Sequence, residues 1–171
     1  VACDLATLVN QQAQGCQYYH VGVVAQYALI HDLLEAYTGD YQTLTITPQE
    51  RADKANAEAV AMEQHVAAFG AGTWLADRVR RYEAQTDPEA RLVRVIDKLL
   101  PKLTHMLNGG AAIEARGLTP DELAVSIDSR MRKLRSQYKD VPAVVWQVMK
   151  VAGTEAVAAY RARLQARSHG A

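Results

Sequence analysis

Val21-Gly22-Val23-Val24-Ala25-Gln26-Tyr27-Ala28-Leu29-Ile30 runs directly into His31-Asp32-Leu33-Leu34-Glu35-Ala36-Tyr37-Thr38-Gly39-Asp40. The first ten residues are apolar almost without interruption and show no two-residue alternation. They predict the first part of a helix from His20 to Gly39, apolar nearly all round in its middle, which is the pattern of the buried centre of a helical bundle. Gly39 is its expected stop, since glycine accepts the backbone of a helix C-cap without penalty. The second ten residues place one imidazole and three carboxylates at the end of that helix. Unpaired charges there would be costly, so they need partners or a purpose.

Working outward, the rest of the chain also reads as helix. Val1, Leu5, Leu8 and Val9 give helical spacing up to about Ala13, and Gln14-Gly15 ends that segment. Tyr41 to Ile46 is rich in β-formers and predicts a short extended strand or loop. Thr47-Pro48-Gln49-Glu50 is a capping box with proline in the first turn, and starts a helix to about Phe69. Gly70 and Gly72 break it, and Thr73 to Gln85 is a shorter helix. Asp87-Pro88-Glu89 opens a helix expected to continue through Asp97 to about Leu107, kinked at Pro101 and ended by Asn108-Gly109-Gly110. A second capping box, Thr119-Pro120-Asp121-Glu122, starts a helix to about Tyr138. Val141-Pro142 to about Ala166 is the last. Gly117 and Asp140 mark turns rather than linkers. The fold class is therefore all-α, a single helical-bundle domain over residues 1–171.

The bulk properties narrow the function. The chain of 171 residues is 49% apolar, enough for one domain with a real core. Lys plus Arg balance Asp plus Glu at 19 each, so net charge offers no argument for extended nucleic acid or an acidic membrane surface. Two cysteines, Cys3 and Cys16, form neither a disulfide framework nor a zinc motif and point to the cytoplasm. No apolar run is long enough for a membrane span.

On an α-helix, His31 and Glu35 would lie one above the other with Asp32 beside them, all able to face one cavity. Imidazole and carboxylate suit a divalent cation such as Mn²⁺, Co²⁺, Zn²⁺ or Fe²⁺. Two neighbouring ligands cannot close a site, and Asp97 is the best remote candidate. It lies on or beside the apolar stripe of Val93, Ile96, Leu100 and Leu103, where a carboxylate needs either a metal or an ion pair with a nearby Arg or Lys. Arg94, Lys98 and Lys102 recur at four-residue steps beside it, as a basic strip for phosphate or as a solvated face, with Lys98 first among them. Arg78, Arg80 and Arg81 read as surface charge with a possible interface role. His20 is a polar helix end, His65 an exposed helix residue, His105 a partner for the last carbonyls of its helix, and His169 part of a mobile tail. None of these four is assigned as a ligand.

These residues resemble the HD-domain metal-dependent phosphohydrolase superfamily. Within it, Tyr27 to Asp40 (YALIHDLLEAYTGD) is similar to the bacterial 5′-deoxynucleotidase group, and Asp97-Lys98-Leu99 matches that group's later aspartate. The resemblance spans roughly the first two thirds of the chain. It implies His31, Asp32 and Asp97 as metal ligands (Mn, Co, Zn, Fe or Mg), Glu35 as the acid/base group and Asp40 as a contact to the sugar 3′-hydroxyl. It also implies a homodimer. The superfamily's earlier histidine ligand is not in the chain; it is expected just ahead of Val1, the alternatives being Asp4 in its place or a natural loss. The expected activity is hydrolysis of a deoxynucleoside 5′-monophosphate. A triphosphohydrolase or phosphodiesterase would use the same residues, and a catalytically weak nucleotide-binding domain is the non-enzymatic alternative.

Overall fold

The computed structural model describes residues 1–13, 18–39 and 47–169; Gln14-Gly15, Cys16, Asp40 and the 41–46 segment lie outside the described residues, as does the His169 side chain. Among the described residues all regular structure is helical: α1 (Ala2–Gln12), α2 (Val21–Ile30), α3 (Glu35–Thr38), α4 (Pro48–Phe69), α5 (Trp74–Glu83), α6 (Pro88–Asp97), α7 (Leu100–Leu107), α8 (Ala111–Glu114), α9 (Pro120–Gln137) and α10 (Ala143–His169). The all-α class is as the patterning predicts. No helix of the described residues is long and apolar enough to cross a membrane.

The helix starts are set locally. Thr47 and Thr119 each accept a hydrogen bond from the backbone N–H three residues on. Glu50 and Glu122 reach back to the cap N–H, at 2.7 and 2.8 Å. This reciprocal bonding satisfies donors that a helix N-terminus otherwise leaves open. His20 caps α2, its Nδ1 accepting from the Val23 N–H. Gly39 (φ 76°) and Gly70 (φ 90°) end α3 and α4 at angles that side chains with a Cβ rarely adopt.

Two expected continuous helices are each divided in two. The predicted His20–Gly39 helix stops at Ile30 and resumes at Glu35. Between them Leu33, Glu35, Ala36 and Tyr37 donate to carbonyls three residues back rather than four, at 2.9 to 3.3 Å. The predicted Asp87–Leu107 helix is likewise cut at Lys98-Leu99. Pro101, at the start of α7, has no N–H to continue the ladder, and the Leu99 N–H turns to the Ile96 carbonyl at 2.7 Å. The break also shifts the buried stripe, which runs through Leu92, Val93, Val95, Ile96 and Leu99, while Leu100 is exposed.

The chain divides into two compact units. One comprises residues 19–93 with Ala2; the other comprises Val1, 3–18 and 94–171. In the 19–93 unit, α2 packs on α5, and α4 packs on both α3 and α5. The face of α2 that is buried carries Val24, Tyr27 and Ile30, and that of α5 carries Ala76, Val79 and Tyr82. Both sets recur every three residues, as one helical face requires. Leu29 on the other side of α2 is exposed, so α2 is not buried all round as expected. In the other unit, α10 packs on α7 and α9. Ile113, Leu123, Ile127, Val157 and Tyr160 form the core there. The fit is close: at Gly153 a Cβ would lie 2.7 Å from Ile127 Cγ2.

His65 is not the exposed helix residue expected. It is fully buried on α4, between the rings of Tyr37 (6.4 Å) and Phe69 (4.8 Å). Burial, with a smaller contribution from the Arg80 charge, holds its imidazole below the ordinary value. The fold therefore keeps His65 neutral, whereas the unfolded chain protonates it below pH 6.5. Stability contributed by this site is complete above that value and falls as pH drops towards the lower folded pKa. Replacing His65 with Phe is expected to flatten this loss, read as the urea midpoint compared between pH 7.5 and pH 5.5 for parent and variant. Gly110 precedes α8 at φ 75°, and a Cβ there would sit 2.5 Å from Tyr160 Cγ. Gly110→Ala should cost about 2 kcal/mol or more through strain and overpacking, measurable by urea denaturation.

Candidate metal centre

His31 and Asp32 occupy the break between α2 and α3. The backbone angles of His31 (φ −58°, ψ −30°) and Leu34 (φ −69°, ψ −23°) match the tighter three-residue turn. At three residues per turn, Asp32 and Glu35 eclipse, and His31 shares its direction with Leu34. The expected stacking of His31 over Glu35 is thereby replaced. The burial follows the same division: Leu34 is buried and the His31 side chain is 22% exposed, while Asp32 is 54% exposed. Glu35, the first residue of α3, is half-buried.

The imidazole of His31 is tightly specified. Its Nδ1 lies 2.9 Å from the Ala28 carbonyl, which can only accept, so Nδ1 carries a proton. A backbone carbonyl on the far nitrogen is the usual partner of a metal-ligating histidine. The other nitrogen, Nε2, stands 2.9 Å from Asp32 Oδ2. With Nδ1 protonated, a neutral ring presents a lone pair at Nε2 towards a carboxylate oxygen. Two acceptors that close repel unless a cation lies with them, either a proton on Nε2 or a metal ion. The pair thus has the chemistry of a half-built divalent site in which proton and metal compete.

A second polar cluster braces α2 one turn before His31, and no sequence pattern marks it. The Asp87 carboxylate is 12% exposed and is gripped from two sides. Arg81 donates to both its oxygens, Nε to Oδ2 at 2.9 Å and Nη2 to Oδ1 at 2.5 Å, and the Tyr27 hydroxyl donates to Oδ2. Arg78 lies 3.8 Å from the same carboxylate with its guanidinium over the Tyr27 ring. Arg78 and Arg81 are therefore structural partners of a buried acid rather than surface charges. Arg81 holds the Asp87 carboxyl below the usual carboxylate range, and burial raises the Tyr27 phenol. Tyr82 packs 5.9 Å from the Tyr27 ring and edge-on to His31 at 6.5 Å. The Arg81–Asp87 spacing of six residues crosses the end of a helix, so no periodicity exposes it.

Asp97 is the last residue of α6, its side chain 21% exposed, and the Lys98 ammonium lies 2.5 Å from Oδ2. The ion pair considered for it is thus present. The expected basic strip is broken up: Lys102 is buried, with Nζ donating to the Lys98 carbonyl at 2.9 Å. Burial, then the charges of Arg130 and Lys98, push its amine down to about 8. His105 is half-buried, and its Nδ1 has no hydrogen-bond partner among the described residues. Asp4 sits in the first turn of α1, 89% exposed. Asp40 lies outside the described residues.

His31 and Asp32 supply one imidazole nitrogen and one carboxylate 2.9 Å apart, donors suited to a divalent ion. The family model for the HD domain matches residues 2–139. The chain belongs to the HD-domain family. That family is one of metal-dependent phosphohydrolases, and the match spans the His31-Asp32 segment. No curated protein matches the chain, and no solved structure does.

The Asp87 cluster gives a direct test of the bracing. The carboxyl is held low in the fold, so its stability is complete above the ordinary value of 3.8 and is lost as pH falls through the lower folded pKa. Asp87→Asn should cost about 2 kcal/mol at neutral pH, and the gap to the parent should close in acid, as seen in urea midpoints from pH 7 to pH 3.

Proposed function

We propose that this HD domain is a deoxynucleotidase that hydrolyses a 5′-monophosphate to a deoxynucleoside and phosphate. The observation that carries the reading is the His31 ring, fixed by the Ala28 carbonyl with Nε2 beside Asp32 Oδ2, in a chain of the HD-domain family. The segment Tyr27 to Asp40 favours the 5′-deoxynucleotidase group within it.

In this proposal His31, Asp32 and Asp97 hold the divalent ion. When bound, such an ion supplies Lewis acidity to water and to the phosphoryl group. Glu35 takes the proton of the attacking water or returns one to the departing sugar oxygen. The Lys98 ammonium has three donors and directs one at Asp97, so it orients that carboxylate and has donors left for a phosphate oxygen. Asp40 accepts from the sugar 3′-hydroxyl, a bond that a 3′-blocked sugar cannot make. The substrate is a small nucleotide rather than extended nucleic acid, and the chain acts as a cytoplasmic homodimer.

A triphosphohydrolase or a phosphodiesterase would use the same ligands, so the products decide between them. The protein, supplied with Mn²⁺ or Co²⁺, should release phosphate from deoxynucleoside 5′-monophosphates. Glu35→Gln should slow that release by about 10²–10⁴-fold without loss of bound metal. Asp97→Ala should lower metal content as well as rate. Triphosphate or a 5′-nucleotide as the product would favour the other two reactions, and no product from any substrate by the metal-loaded protein would refute hydrolysis.

A further inference from the structure

Several cations of this neutral chain face a carboxylate. Arg81 faces Asp87, Lys98 faces Asp97, Arg161 faces Asp121, and Arg163 and Arg167 share Glu114. Arg132 and Arg135 on α9 and Lys150 on α10 depart from this pattern. None of the three has an ion pair or hydrogen bond with another described side chain. All three are exposed, and all three line one groove of ≈ 450 Å³.

The groove is formed by two helices that are firmly joined. Asp128, Arg132 and Arg135 recur at steps of four and three along α9; Ala143, Trp146 and Lys150 do so along α10. Each set lies on one helical face. Trp146 is buried, its Nε1 donating to the Val141 carbonyl at 2.9 Å, so the indole is a fixed floor. The Tyr18 hydroxyl ties the same turn through the Asp140 carbonyl at 2.7 Å. A cleft of this size suits a small molecule, for which the usual range is about 300–1,000 Å³.

The charge defines the occupant. Two guanidinium forks and an ammonium around one concavity match phosphate oxygens, which arginine binds in a bidentate way. The single carboxylate in the lining, Asp128, repels a continuous polyanion at its end of the groove and can accept from a ligand hydroxyl. The HD-domain match ends at residue 139, so the α10 wall is built from sequence beyond it. We propose that the α9–α10 groove is a binding site for a small anion carrying two or more phosphate groups, held by Arg132, Arg135 and Lys150.

The test uses the full chain, stripped of metal on a chelating resin, with inorganic pyrophosphate as the probe. The chain has two tryptophans. Trp74 is 64% exposed, so W74F leaves Trp146 as the sole tryptophan. Pyrophosphate should change that fluorescence saturably, with half-saturation below about 1 mM. R132Q/R135Q in the same background should weaken the response about tenfold or more with unchanged circular dichroism, and H31A should leave it as it was. The proposal fails if the double variant binds as tightly as its parent, or if pyrophosphate gives no saturable response. It fails equally if a single-stranded oligonucleotide binds more tightly than pyrophosphate and loses its affinity in R132Q/R135Q, since the groove would then be a nucleic-acid surface.

Discussion

The hydrogen bond between His31 Nδ1 and the Ala28 carbonyl is the constraint on which the candidate centre depends. It engages a carbonyl at the end of α2, where the backbone leaves the four-residue ladder for a tighter turn. It fixes which ring nitrogen carries the proton, and thereby turns the lone pair of Nε2 towards Asp32. Side-chain bonding of this local kind competes with regular helix, as short polar side chains do at caps and turns. The interruption of the helix and the orientation of the His31 ring meet at this contact. A regular helix through residues 31–35 would set His31 over Glu35; the tighter turn sets Asp32 with Glu35 and leaves His31 nearer the core.

Such a contact holds its geometry only if the helix bearing it is held. Tyr27 does this, four residues before His31, through its hydroxyl on Asp87 and its ring against Tyr82. Asp87 is in turn held by two bonds from Arg81. A buried carboxylate without such partners would be destabilising, whereas one with a bidentate arginine and a phenol is satisfied and directional. The arrangement fixes α2 against α5 and the start of α6 within the 19–93 unit. Elsewhere the buried amine of Lys102 has an acceptor in the Lys98 carbonyl, and burial, then the charges of Arg130 and Lys98, leave its proton weakly held.

The helices were largely legible because their boundaries are written in short-range chemistry. Thr47 with Glu50 and Thr119 with Glu122 act over three residues, and Gly39 and Gly70 act through their own φ angles. The breaks at His31 and Lys98 were less legible. Pro101 announced a disturbance, but whether a proline kinks or cuts a helix depends on what the freed carbonyls find. For the candidate centre, His31, Asp32 and Asp97 stood out as polar groups in apolar surroundings. Arg78, Arg81 and His65 did not, because charge and polarity read as exposure until a partner or a covering surface is known.

The sequence alone determined that this is an all-helical chain of the HD-domain kind, with a His-Asp pair at the end of an apolar helix. The first follows from periodicity and capping, which act over a few residues, and the second from the resemblance carried by the short run His31 to Asp40. Only the tertiary structure decided that the pair sits on a tight turn, that His65 and Lys102 are buried, and that Asp87 joins Tyr27 to Arg81. It also decided that Arg132, Arg135 and Lys150 share one groove. The reason is the same in each case. Burial and charge pairing depend on residues brought near by packing, and packing distance is not written in sequence distance.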